Sequence, residues 1–370
     1  MLPLLIAITL LALAAAILLS SHGAAAITAY HLVFAVGILP LVSAAMLHFI
    51  PVLTRTSQPP FITRLLPAII LAGVLLVAGH FLWPLELAYT HLSGGAVIAS
   101  AYSVLAIWAW RLRGRALGGA HPGLDWYLAA MACLLFALTA ILIGAVLPEQ
   151  RAALRLLHLH LNTLGFIGLT ALGTLQVLLP TCTQRQDPMA SSRLRQHRNL
   201  AACGVLLVAG GAAWQPVLAW PGAAILAWPL YSVGRDWLRL YPREIFAQHG
   251  AAPVLAAALA GYAATLAVGA AHGGWNLPLV PVAMFLAAFL LPLVTGAISQ
   301  LLPIWLRPSR QTAWHQAARA CLGRGGAVRA LLFLAAGIAL ALDWPWGWAL
   351  AALGLASFLL RLLMLTRLPG

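Results

Sequence analysis

The sequence predicts an all-α polytopic membrane protein, and three observations predict it. Hydrophobic residues make up 63% of the 370 and charged residues only 8%, with a mean hydropathy of +0.95. Apolar runs recur at close to the roughly 20 residues that a helix needs to cross a bilayer. These runs lack the alternation of a porin strand, and backbone groups cannot go unpaired in lipid, so the spans are expected to be α-helices. A lipid bilayer is therefore the first expected partner.

About twelve transmembrane helices are expected, near residues 2–20, 28–53, 65–84, 91–112, 124–147, 154–181, 199–217, 220–238, 250–271, 279–306, 326–343 and 346–366. The first has no charged leader and no small-residue cleavage site, and is read as retained. All 21 basic residues are arginine. They cluster after every second span: Arg55 and Arg64; Arg111, Arg113 and Arg115; Arg185, Arg193, Arg195 and Arg198; Arg235, Arg239 and Arg243; Arg307, Arg310, Arg319 and Arg324. By the positive-inside rule those loops and both termini are cytoplasmic, in the cytoplasmic (inner) membrane of a bacterium. The net charge of +14 is then topology rather than a nucleic-acid footprint, and no nucleic acid is expected as a partner. Cys133, Cys182, Cys203 and Cys321 show no C-x-x-C spacing and are read as buried small residues.

The chain repeats itself. "LVSAAMLHFIPVLTRT", "LTALGTLQVLLPTCTQ" and "LVTGAISQLLPIWLRP" close the second, sixth and tenth spans, aligning Pro51, Pro180 and Pro303. "GVLLVAGH" at 73–80 matches "GVLLVAGG" at 204–211, and "YSV" recurs at 102–104 and 231–233. Three parallel four-helix repeats follow, 1–120, 121–248 and 249–370, within a single membrane domain. An even number of helices per unit places their pseudo-three-fold axis along the membrane normal. In this register His31 falls on His160, while the third copy has Ala283.

The topology puts His22, His31, His80, His91, His158, His160 and His272 toward the outer side. It puts His48, His121, His197, His249 and His315 toward the cytoplasm, where they are expected to be solvated. Polar groups at membrane depth are expensive and tend to be functional, and neutral imidazole ligates haem iron, copper and zinc. Successive helix residues turn by about 100°, so His158 and His160 point about 200° apart and serve different neighbours. His160 is expected to face His31, with His158 turned toward His80 or His91. The bland alternative is hydrogen bonding to carbonyls at helix ends, favoured for His22, His80, His91 and His272. Arg151 and Arg155, just before the histidine pair, are candidates for carboxylate groups such as haem propionates, or else a solvated loop paired with Glu149.

At these residues the chain resembles the haem-copper oxidase subunit I superfamily. "ITAYHLVFAVGILPLVSAAMLHFIPVLTRTSQPPFITRL" is similar to that subunit's second helix, with His31 at the low-spin haem ligand position. "HLHLNTLGFIGLTALGTLQVLLP" is similar to its H-x-H helix, whose two histidines serve two metal centres. The departures are a histidine pair on the sixth rather than the tenth span, no H-P-E-V-Y or G-H-N segment, and acidic residues confined to loops and helix ends. A proton-pumping terminal oxidase is therefore not expected, and the length and histidine content are closer to NnrS-type membrane haem-copper proteins linked to nitric oxide stress.

The resemblance implies haem b between His31 and His160, copper through His158 with His80 or His91, and electron transfer or binding of a diatomic gas near the outer face. A cytochrome c or other respiratory subunit would be the protein partner. The competing expectations are a transporter with histidine relays and a non-catalytic structural or assembly subunit of a respiratory complex.

Overall fold

The computed structural model describes residues 1–83, 89–308 and 310–368. The chain is an all-α, multi-pass membrane protein. Its long helices are α1 (Leu2–Ser21), α2 (Ala26–Thr54), α3 (Phe61–Leu82), α4 (Thr90–Arg115), α5 (Gly123–Val146), α6 (Pro148–Thr183), α7 (Ala190–Trp214), α8 (Pro216–Leu240), α9 (Ala252–Trp275), α10 (Pro281–Leu306), α11 (Ala313–Ala341) and α12 (Gly347–Arg367). Among the described residues, 11 of these are long and apolar enough to cross a membrane, and α7 falls below that level.

The difference from the expected twelve spans has a physical reason. The seventh helix begins at Ala190, ahead of Arg193, Arg195 and Arg198, rather than after them. Protein groups receive part of this charge. Arg193 is buried, and Arg198 pairs with Asp125 at 2.8 Å. Asp125, at the start of α5, also accepts from Arg113 at 2.6 Å, so one carboxylate ties the ends of α4, α5 and α7.

Proline sets several helix starts. α6, α8 and α10 open on Pro148, Pro216 and Pro281, where the missing N–H would be unsatisfied in any residue. Pro51, Pro180 and Pro303 lie inside the last turns of α2, α6 and α10, shortly before those helices end.

Two compact units make up the chain. One comprises Met1–Gly173 with Ser191–Leu226, the other Thr174–Ala190 with Ala227–Gly370. In the first, α3 crosses α4 and α7 crosses α8 at glycine. A Cβ at Gly73 would stand 3.0 Å from the Gly94 carbonyl oxygen, and one at Gly204 2.9 Å from that of Gly222. Such backbone approach is the membrane mode of helix packing, where lipid supplies no hydrophobic drive. In the second unit α9 runs against α10 in the same way, with Gly261 lying on the Ala288 carbonyl.

Three helices leave the α pitch after their first turns. α2 is π-helical over Leu32–Ile38, α6 over Leu161–Leu169 and α10 over Phe285–Leu290. Side chains serve carbonyls there, as a membrane interior requires. The Thr9 hydroxyl donates to Gly37, the buried Tyr102 phenol donates to Leu39, and Asn162 donates to His158, each at 2.8 Å.

Toward the basic loops, His121 lies between α4 and α5, and its Nδ1 accepts the Gly123 N–H at 3.1 Å. Burial, and then the Arg195 guanidinium, hold this imidazole below its ordinary value. The folded state thus binds the proton less well than the unfolded chain, and a proton on Nδ1 would remove the acceptor. His121 therefore contributes stability that is present above the ordinary histidine value near 6.5 and is lost as pH falls through the lowered one. Thermal unfolding in detergent between pH 7.5 and 5 is expected to show this loss, and His121→Ala is expected to flatten it. An unchanged pH slope in the variant would count against the assignment.

Candidate functional site

The π stretches place the site, because each of the first two begins immediately after a histidine. His31 ends the first α-helical turns of α2, and His160 ends those of α6. The two rings have the same local geometry. His31 Nδ1 bonds the Ile27 carbonyl and His160 Nδ1 bonds the Leu156 carbonyl, both at 2.8 Å and both four residues back. His158 Nδ1 reaches across to the Ala137 carbonyl of α5 at 2.9 Å. A carbonyl can only accept, so the hydrogen sits on Nδ1 in all three rings, and each neutral imidazole presents an Nε2 lone pair. Donation of the other ring N–H to a carbonyl is the usual outer support of a ligating histidine.

The neighbours of His31 are other imidazoles. His158, His91 and His80 lie within its electrostatic reach, which brings α2, α3, α4 and α6 to one place on the first unit. The His80 and His91 rings are 4.0 Å apart, and His91 Nδ1 is buried without a hydrogen-bond partner among the described residues. Phe81 covers one face of the His31 ring at 4.1 Å. A ligated atom approaches in the ring plane along the Nε2 lone pair, so this cover leaves ligation open.

Within the H-x-H pair the surroundings differ from the expected ones. His158, not His160, is among the imidazoles acting on His31. The reason is the position of Ala137: its carbonyl on α5 draws the His158 ring inward, whereas the His160 ring is held to its own helix. His160 shares the local backbone of His31, and His158 shares its surroundings.

Arg151 and Arg155 are exposed one to three turns before these rings. Arg151 Nε donates to the Gly144 carbonyl at 3.3 Å. Among the described residues neither arginine meets a carboxylate, so the alternative pairing with Glu149 is not formed. At the start of the π stretch in α10 there is no imidazole. Phe285 packs against Phe289 at 4.8 Å and Tyr262 against Phe289 at 4.7 Å, filling the interior with rings.

The remaining outer histidines follow the bland alternative: His22 Nδ1 bonds Leu18 and His272 Nδ1 bonds Leu277, at 2.9 and 2.8 Å. The inner set corrects an expectation. His315 and His197 are buried rather than solvated, at 1% and 7% exposure. His315 is the reciprocal partner of Thr312 in a helix cap, and its Nε2 donates to the Arg307 carbonyl at 3.0 Å. His249 accepts the Gly325 N–H at 3.1 Å. His315 and His249 are spent on backbone groups at helix ends.

Among the described residues, no group of three or more His, Cys, Asp or Glu side chains is placed to hold a metal ion. Glu86, between His80 and His91 in the sequence, lies outside the described residues. The π stretches and their supporting Thr9 and Tyr102 were missed from sequence, since no residue pattern marks an i→i+5 turn. No family model matches the chain, and no curated protein matches it.

Proposed function

We propose that this is a membrane haem protein, in which His31 of α2 and one histidine of the H-x-H pair of α6 would hold haem b. The observation that carries the reading is the set of carbonyl-anchored imidazoles, His31, His158 and His160, each with Nδ1–H donated and with no bond to Nε2 among the described residues. Haem asks for two such nitrogens at most, whereas copper asks for a third donor that the described residues do not bring to His80 and His91. The residues present therefore fit haem, and the proposal carries haem alone. His158 is assigned as the partner of His31 because it shares the same surroundings. His160, by its matching backbone, is the alternative that mutation separates.

The chain's own groups define what the site does. The Ile27, Ala137 and Leu156 carbonyls fix the tautomers, Phe81 holds the His31 ring, and Arg151 and Arg155, which meet no carboxylate among the described residues, are left for anionic groups at the surface. Bound haem would supply one-electron exchange, or a gas-binding position if one axial site is open. On this reading the protein lies in a bacterial cytoplasmic membrane with both termini inside. Its site is near the outer face, where a cytochrome c or another respiratory subunit would exchange electrons with it. The same reading takes 1–120, 121–248 and 249–370 as repeats, which the matching π stretches and the two glycine crossings support.

An absorption spectrum of the full-length protein purified from haem-replete cells, oxidised and reduced, tests the proposal. Sharp haem b bands and about one haem per chain are expected. A colourless preparation would sink it.

A further inference from the structure

The second unit contains a buried charge that lies apart from the histidine cluster. Arg329 lies near the start of the apolar part of α11, which runs as a helix over Gly326–Ala341, and it is only 1% exposed. Its Nη2 donates to the Leu322 carbonyl at 3.0 Å, at the end of the helix Ala313–Gly323, and its guanidinium lies 5.2 Å from the ring centre of the fully buried Phe358. Capping that helix end explains one of five N–H donors. Nε is buried with no partner among the described residues.

A second guanidinium shares the place. Arg361, in the last turns of α12, is half-buried and within electrostatic reach of Arg329, and its Nη1 meets only the weakly accepting Met364 sulfur at 3.3 Å. Among the described residues neither arginine pairs with a carboxylate. Asp343 sits at the opposite end of α11, and Glu244 is already paired with Arg185. Two like charges, one of them fully buried, are costly together unless an anion joins them. A planar guanidinium matches the oxygens of a phosphate, and basic pockets between membrane helices at the cytoplasmic side suit anionic headgroups.

We propose that Arg329 and Arg361 form a binding site for one phosphate group, supplied by an anionic phospholipid headgroup at the basic end of α11 and α12. The Phe358 ring and the Leu322 carbonyl hold Arg329 in place, and Arg361 closes the site from the more accessible side.

The test titrates the full-length protein in a zwitterionic detergent with phosphatidylglycerol, phosphatidylcholine and inorganic phosphate, reading bound adducts by native mass spectrometry. One phosphatidylglycerol is expected to bind in preference to phosphatidylcholine. Its affinity should fall about five-fold in Arg361→Gln, the value of one basic group near a membrane surface, and stay unchanged in Arg239→Gln. Arg329→Lys is expected to keep the lipid and Arg329→Gln to release it. Stronger binding of inorganic phosphate, with the same dependence on Arg361, would support the phosphate site and assign it to a free anion. Unchanged phosphatidylglycerol binding in Arg361→Gln, or an equal loss in Arg239→Gln, would overturn the proposal.

Discussion

His31→Ala is expected to remove the low-spin haem spectrum and reduce haem retention by more than about 10-fold, since even outer-shell support of a ligand is worth 10–100-fold. The ring stands at the junction of the α and π parts of α2, its Nδ1 tied to Ile27 and one face against Phe81. Alanine removes the nitrogen and leaves the junction intact, so the protein should fold and lose only its colour. Two companions divide the H-x-H pair. His158→Ala should match His31→Ala, while His160→Ala should leave most of the low-spin signal, because within the H-x-H pair it is His158 that acts on His31. The reverse pattern would return the ligand to His160, and a haem spectrum unchanged in all three would end the assignment of these histidines as ligands. His22→Ala is the suitable control, being exposed and bonded to its own helix. Buried His315 is unsuitable, since its removal opens a helix cap.

Gly261→Ala should destabilise the protein more than any other single methyl group considered. At that position a Cβ would collide with the carbonyl oxygen and carbon of Ala288, inside the π stretch of α10. Both are backbone atoms, so no rotamer change relieves the contact. The helices must separate at a cost of about 2–3 kcal/mol, the upper part of the overpacking range. Gly210→Ala in α7 is the matched comparison, because a Cβ there meets nothing within 4 Å. It should be neutral or stabilising by up to about 1 kcal/mol through helix propensity. Thermal unfolding in one detergent compares the two, and a Gly261→Ala protein as stable as the parent would refute the predicted collision.

The helices were legible because lipid forces one solution on an apolar run: every backbone group must be satisfied within the segment. The seventh span was the exception, since Arg193 and Arg198 look like loop residues until Asp125 is seen to lie beside α7. At the site, the histidines could be picked out by type and depth, but which one acts on His31 could not. That choice depends on the Ala137 carbonyl, contributed by a different helix. The π stretches were invisible for a related reason: their supports, Thr9 and Tyr102, stand far away in sequence. Arg329 carried a signal that the topology reading passed over, an arginine just inside an apolar run.

The glycine crossings bear on how such a chain is made. Gly73 with Gly94, and Gly204 with Gly222, join helices that are consecutive in the chain, through backbone carbonyls and side chains of the same two helices. Each crossing can therefore form as soon as its second helix leaves the ribosome, with no distant side chain required. α3 with α4, and α7 with α8, can enter the membrane as ready-made hairpins, leaving the histidine-bearing α2 and α6 to be enclosed by partners already in place.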